Sequence, residues 1–139
     1  MGSGNLKKNL QSYIDQKNLN ENIKIINFRK NPFPVLKSAD LFILSSKYEG
    51  LPNVLIEAQV LKKIIFSSDC PSGPREILIN GKAGILFKNN NYIDLSKKFI
   101  NLIKDKKYLN KKIEYGYKKL YRFDYYHCLE KYFSILNKV

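Results

Sequence analysis

Leu41-Phe42-Ile43-Leu44, running on through Ser45-Ser46-Lys47-Tyr48-Glu49-Gly50-Leu51-Pro52 into Asn53-Val54-Leu55-Ile56-Glu57-Ala58, is the stretch on which the fold turns. Four continuous apolar residues suit a central strand covered on both faces. Gly50 and Pro52 then turn the chain, with Pro52 suited to the first turn of a helix over residues 53–61. The same rhythm continues downstream: a buried strand over 63–67, a Pro/Gly turn, a short helix over 75–79, an Asn80-Gly81 turn and a strand over 84–87. Upstream, Leu6, Leu10, Tyr13 and Ile14 lie at helical spacing and predict an amphipathic helix over about 5–16, broken by Asn18-Leu19-Asn20. Ile23-Lys24-Ile25-Ile26-Asn27 is a β-branched run and reads as a strand, while Pro32 and Pro34 bracket a loop before a short helix over 35–39. From Ile93 onward the apolar stripes are helical throughout. Strands alternating with helices predict an α/β fold, a Rossmann-like and mostly parallel sheet flanked by helices, with a helical C-terminus.

Composition agrees with one globular unit. The chain has 139 residues, 44% of them apolar and 27% charged, close to globular averages, which argues against disorder. Met1-Gly2-Ser3-Gly4 reads as a cloning remnant, leaving residues 5–139 as a single domain. Cys70 and Cys128 are far apart and read as small reduced hydrophobes of a cytosolic protein. No apolar run approaches transmembrane length and no signal peptide is recognisable. The formal charge of +13 admits nucleic acid, an anionic membrane surface, phosphate-bearing ligands, or simply solvated faces filled with Lys. Lys and Tyr interleave along the terminal helices, where the structural reading is a core edge beside a solvated face. His127 lies among Tyr125, Tyr126 and Leu129 and reads as packing.

In open α/β sheets ligands bind at the carboxyl ends of the strands, and two such ends here have unusual composition. At the first, Gly50 permits close approach of the backbone to a ligand, and the free N–H groups of a helix start favour a diphosphate. Glu57 lies roughly 6 Å along the axis from Asn53 and leans back toward the helix start, within reach of a pair of ribose hydroxyls. Glu49, on the preceding loop, lies on the other side of the phosphates, where a sugar would be. The second strand end is Ser67-Ser68-Asp69-Cys70-Pro71-Ser72-Gly73-Pro74-Arg75-Glu76-Ile77, in which Gly73 caps a helix and Pro74 opens it. It reads as a wall near the donor sugar and diphosphate, with Arg75 an anion partner, or alternatively as a capped turn and nothing more.

Ser46-x-x-Glu49-Gly50-Leu51-Pro52 with Glu57-Ala58, then Pro71-Ser72-Gly73-Pro74-Arg75-Glu76-Ile77-Leu78, then Asn80-Gly81-x-x-Gly84-Ile85-Leu86, resembles the carboxy-terminal domain of family 4 (group 1) retaining GT-B glycosyltransferases. The resemblance covers about Ile23 to the end. It implies that Glu57 binds the ribose and Glu49, the catalytic candidate, the donor sugar hydroxyls. It further implies that backbone N–H groups of Gly50, Leu51, Pro52 and Asn53 hold the diphosphate, and that Phe28, Arg29 and Lys30 face the base. The Pro-Ser-Gly-Pro-x-Glu variant resembles the subgroup that extends lipid-linked glycans for O-antigen, capsule or protein glycosylation, which points toward a UDP-hexose or UDP-N-acetylhexosamine donor. No metal or other cofactor is expected, since no Asp-x-Asp is present. The Gly-Arg strand and Lys-Gly helix that open such domains have no counterpart before Asn5. The chain therefore resembles a truncated half of the fold lacking its amino-terminal acceptor domain, able to bind but turning over little. Lys47 and Arg75 are the nearest cations, and neither is assignable to the leaving diphosphate.

Two functions follow. One is the donor-binding part of a retaining glycosyltransferase acting on a lipid-linked acceptor, cytoplasmic and peripheral at the inner face of the plasma membrane, with no nucleic-acid partner. The other is a non-enzymatic basic module for anionic membrane or nucleic acid on a Rossmann-like core. An unpaired strand edge left by the missing strands would invite a homodimer.

Overall fold

The computed structural model describes residues 2–137, in two compact units, the first ending at Val35 and the second beginning at Leu36. In the first unit, α1 (Lys7–Gln16) buries Ile14 and ends where Asn18 takes a left-handed φ of 54°. Leu19 N–H then closes back on the Ile14 carbonyl at 3.0 Å, so the Asn18 break expected from the sequence is a helix stop.

The expected strand over 23–27 does not form. Its β-branched residues favour an extended backbone, but a strand also needs a ladder partner, and none of the three strands among the described residues pairs with it. Gly2 N–H donates to the Ile26 carbonyl at 2.9 Å, an isolated bond rather than a ladder. Next, α2 (Phe33–Ser38) begins earlier than its prolines suggested. Pro34 sits in its first turn, where the missing N–H costs nothing, and Asn31 Oδ1 accepts from Phe33 N–H at 3.1 Å.

The second unit is built on a parallel three-stranded sheet in the order β1 (Leu41–Leu44), β2 (Ile64–Asp69), β3 (Ile85–Lys88). Leu41 pairs with Ile64 and Leu44 with Ser67, while Phe66 pairs with Ile85 and Asp69 with Lys88. The strand limits expected for β1 hold, but its place does not. β1 is an edge strand, not a central one, and Ile43 is 42% exposed. A continuous apolar run reports that both faces favour burial; it carries no information on how many neighbours lie alongside. The central strand is β2, whose residues from Ile65 to Ser68 are all buried.

Side chains alternate across β2, so Ile65 and Phe66 enter separate cores. Ile65 joins Leu55 and Ala58 of α3 (Asn53–Val60), Ile77 of α4 (Pro74–Ile77) and Leu78. Phe66 joins Ile85, Phe87 and Leu109, with Leu95, Phe99 and Leu102 of α5 (Tyr92–Leu102) packed against them. Leu109 belongs to α6 (Lys106–Lys118), so helices cover both faces of the sheet.

Beyond β3 the chain is helical but punctuated. Asn91, Asp105 and Asp124 cap α5, α6 and α7 (Tyr125–Leu136), their side chains accepting from the N–H groups of Asp94, Tyr108 and His127. A 3₁₀ turn, Leu120–Phe123, separates α6 from α7. Asp94 also accepts from Lys88 N–H at 2.7 Å, and this bond, with one from Lys98, holds its carboxyl below the usual carboxylate range. His127 packs edge-on against the Tyr121 ring at 5.3 Å, as read. Cys70 is buried as expected, but Cys128 is exposed, because α7 leaves Tyr125, Tyr126, Tyr132 and Phe133 uncovered as well.

Candidate functional site

All three strands run parallel, so Leu44, Asp69 and Lys88 deliver their following loops to one edge of the sheet. The loop after β1 is gripped there from both of the other strand ends. Ser68 Oγ donates to the Ser46 carbonyl at 2.5 Å, and Asn89 Nδ2 donates to that of Lys47 at 2.8 Å. Ser72 Oγ donates to the Glu49 carbonyl at 2.5 Å. At Gly73, with φ 82° and ψ −67°, a Cβ would stand 2.1 Å from Gly50 O and 2.5 Å from Pro52 Cδ. The two loops read separately from the sequence are therefore one joined surface. Gly73 is glycine because only glycine has both that backbone geometry and that clearance.

Gly50 differs. Its φ is not positive, and a Cβ built on it meets no atom within 4 Å. Neither backbone strain nor packing demands glycine there. What its hydrogen side chain does is leave open space in front of the loop, directly before α3.

That helix start offers an anion its donors. Pro52 is the cap itself, extended at φ −73° and ψ 91°, and no side chain caps the helix. This corrects two expectations. Pro52 precedes the first helical turn instead of lying in it, and having no N–H it cannot join the predicted cradle. The donors of that set are Gly50, Leu51 and Asn53, in the positive field of the helix N-terminus.

Glu49 lies on the loop before Gly50 and Glu57 about one turn into α3, and both are half-buried. Ion pairs among the described residues are Lys62–Glu114, Arg75–Asp69 and Lys98–Asp94, so neither carboxylate is neutralised by a protein cation. Arg75 is committed elsewhere: its Nε and Nη2 fork onto the two oxygens of Asp69 at 2.6 and 2.5 Å. That pairing raises the Arg75 pKa further and shares its charge with a carboxylate. Lys47 is exposed on the loop. Phe28, Arg29 and Lys30 belong to the first unit, where they form an exposed, irregular segment.

Sequence reading quoted Ser68 and Ser72 within the second strand end without giving either its own role, and did not single out Asn89. Their targets lie 22, 23 and 42 positions away, so no local pattern announces them. The one available signal was Ser67-Ser68 at the end of an apolar strand, where both are fully buried and Ser68 has a partner in the neighbouring loop.

Chemically, the surface combines unpaired backbone donors for an anion with two carboxylates able to accept from hydroxyls. Among the described residues no group of three metal-ligating side chains is found, and no helix is long and apolar enough to cross a membrane. The family described as glycosyl transferases group 1 matches residues 1–119. An uncharacterized glycosyltransferase of Methanocaldococcus jannaschii is 47% identical over 78 residues, 56% of this chain and 19% of its own length. The N-acetylgalactosamine-N,N'-diacetylbacillosaminyl-diphospho-undecaprenol 4-alpha-N-acetylgalactosaminyltransferase of Campylobacter jejuni is 30% identical over 107 residues, 77% of this chain and 29% of its own length. The crystal structure of Anabaena HepE in complex with UDP superposes with a TM-score of 0.83 at 20% identity, over 95% of this chain and 36% of that one. The chain thus spans less than a third of the length of these two relatives, and its fold is that of a GT-B carboxy-terminal domain. It belongs to the group 1 glycosyl transferases.

Proposed function

We propose that this chain is the nucleotide-sugar-binding part of a retaining glycosyltransferase whose donor is a UDP-hexose or UDP-N-acetylhexosamine. The observation that carries the reading is the uncovered backbone at Gly50, just before an α3 N-terminus that no side chain caps, with Glu49 on the loop and Glu57 about one turn into the helix. In this reading Gly50, Leu51 and Asn53 donate to the diphosphate, Glu57 accepts from the ribose hydroxyls and Glu49 from those of the donor sugar. The leaving diphosphate gains negative charge as its bond to the sugar breaks, and preorganised donors stabilise that charge. Gly73 walls the site, and Arg75, tied to Asp69, holds the second loop in shape and adds a partly shared positive charge. No metal enters the proposal.

Calorimetric titration of the 139-residue chain with UDP tests it. Glu57→Ala should weaken UDP about 10- to 100-fold, the worth of hydrogen bonds to a charged acceptor, without lowering the unfolding temperature. Equal affinity in wild type and variant would remove Glu57 from the site.

The acceptor side we assign to an amino-terminal domain outside this sequence, and the acceptor to a lipid-linked glycan at the inner face of the plasma membrane. The net charge of +13 and the uncovered aromatics of α7 support a membrane-surface location, and the open edge of β1 supports a homodimer. Salt-sensitive flotation with anionic vesicles is the expected result for the first, and a doubled mass by light scattering for the second. Free protein at low salt, or a monomer at all concentrations, would dismiss each in turn.

A further inference from the structure

We propose that Ser72 is a positioning residue, whose hydroxyl turns the Glu49–Gly50 peptide so that Gly50 N–H faces the open side of the site and donates to a diphosphate. The proposal rests on the donor-binding reading above and adds a named determinant to it.

The argument is geometric. In a trans peptide the carbonyl of one residue and the N–H of the next point in opposite directions, and no cis peptide occurs among the described residues. Ser72 Oγ holds the Glu49 carbonyl at 2.5 Å, so Gly50 N–H is directed away from the second loop. Gly50 O lies against Gly73, 2.1 Å from where a Cβ would be, so Leu51 N–H is directed away from that loop too. Neither N–H has a backbone acceptor among the described residues. A Cβ on Gly50 would meet no atom within 4 Å, so the loop backbone is uncovered at this residue. Two successive donors aimed outward by the second loop are what a pyrophosphate needs, with α3 supplying Asn53 N–H behind them.

Ser72 is exposed; its carbonyl accepts from Cys70 Sγ at 3.8 Å, and its hydroxyl spans 23 positions to a single carbonyl. Without it the Glu49 carbonyl would be free to rotate toward water, carrying Gly50 N–H off its line. Asn89 provides the comparison. It clamps the same loop at the Lys47 carbonyl, but the N–H opposed to that carbonyl belongs to Tyr48, not to the proposed donor pair.

The experiment titrates wild type, Ser72→Ala, Ser72→Thr and Asn89→Ala chains with UDP and with uridine, following chemical shifts, and records each unfolding temperature. The expected result is that Ser72→Ala weakens UDP about tenfold, the loss of one charge-assisted bond, while uridine affinity is unchanged. Ser72→Thr, which keeps the hydroxyl, should retain UDP affinity, and Asn89→Ala should weaken UDP less than Ser72→Ala. Unchanged UDP affinity in Ser72→Ala would overturn the proposal and leave the donor site standing. Equal losses for UDP and uridine, or for Ser72→Ala and Asn89→Ala, would make Ser72 a general loop anchor and overturn it too. A wild-type chain that binds no UDP would overturn the donor-binding reading itself, and the proposal with it.

Discussion

Gly73→Ala should destabilise the protein by about 3 kcal/mol and abolish UDP binding. Two costs add at this one position. At φ 82° and ψ −67° the backbone is in a region that L-residues with a Cβ adopt only under strain, worth about 1–3 kcal/mol. The new methyl would also lie 2.1 Å from Gly50 O and 2.5 Å from Pro52 Cδ, so one loop must retreat, an overpacking cost of about 1–3 kcal/mol. Neither contacting atom is the tip of a flexible side chain that could swing aside. For a chain of this size the loss corresponds to a fall of roughly 10 °C in Tm. The part that retreats is the surface proposed to hold the diphosphate, so binding should fail even at temperatures where the variant is folded. Gly50→Ala is the control. Its Cβ meets nothing within 4 Å and its φ is ordinary, so stability should change by less than about 0.5 kcal/mol. Binding should still fall, because the methyl enters the space proposed for the ligand. If Gly73→Ala unfolds at the wild-type temperature, the contact between the two loops is not as described.

That contrast also separates what was legible in the sequence from what was not. The turn elements were legible wherever one residue type answers one backbone need. Gly73 before Pro74 marked a helix start, Asn18 a helix break and Asn80-Gly81 a turn, and at all four residues φ is positive, at 82°, 54°, 51° and 84°. The extent of β1 was legible because four apolar residues stand between Asp40 and Ser45. Its position at the edge was not, because pairing depends on residues outside the window, and the same limit undid the strand read over 23–27. Pro52 shows a finer failure: proline is compatible with both the cap and the first turn, so composition alone could not choose between them. The anchors Ser68, Ser72 and Asn89 were invisible for a different reason. Serine and asparagine near turns usually bond locally, and only the assembled sheet edge shows that these three reach across to another loop.

Phe66→Ala should be the most destabilising single change in the second core, at about 3–5 kcal/mol. Phe66 is fully buried at the middle of β2, packed with Ile85, Phe87 and Leu109. Its ring also meets that of Phe99 at 5.9 Å and 56°, a tilted pair that adds to simple area burial. Truncation would leave a cavity that two flanking strands and two covering helices cannot close without breaking the ladder on either side. Against a total stability of about 5–15 kcal/mol for a domain, such a loss is a large fraction. Phe66→Leu, which keeps most of the volume, should cost under about 1.5 kcal/mol. The informative partner is Ile43→Ala on β1, whose side chain is 42% exposed and should cost about 1 kcal/mol or less. Denaturant titrations of the three variants would read these differences from midpoints at constant slope. If Ile43→Ala proved as costly as Phe66→Ala, the face of β1 that carries Ile43 would have to be covered in solution. The size of the Ile43 effect at increasing protein concentration therefore measures whether a second copy covers that face.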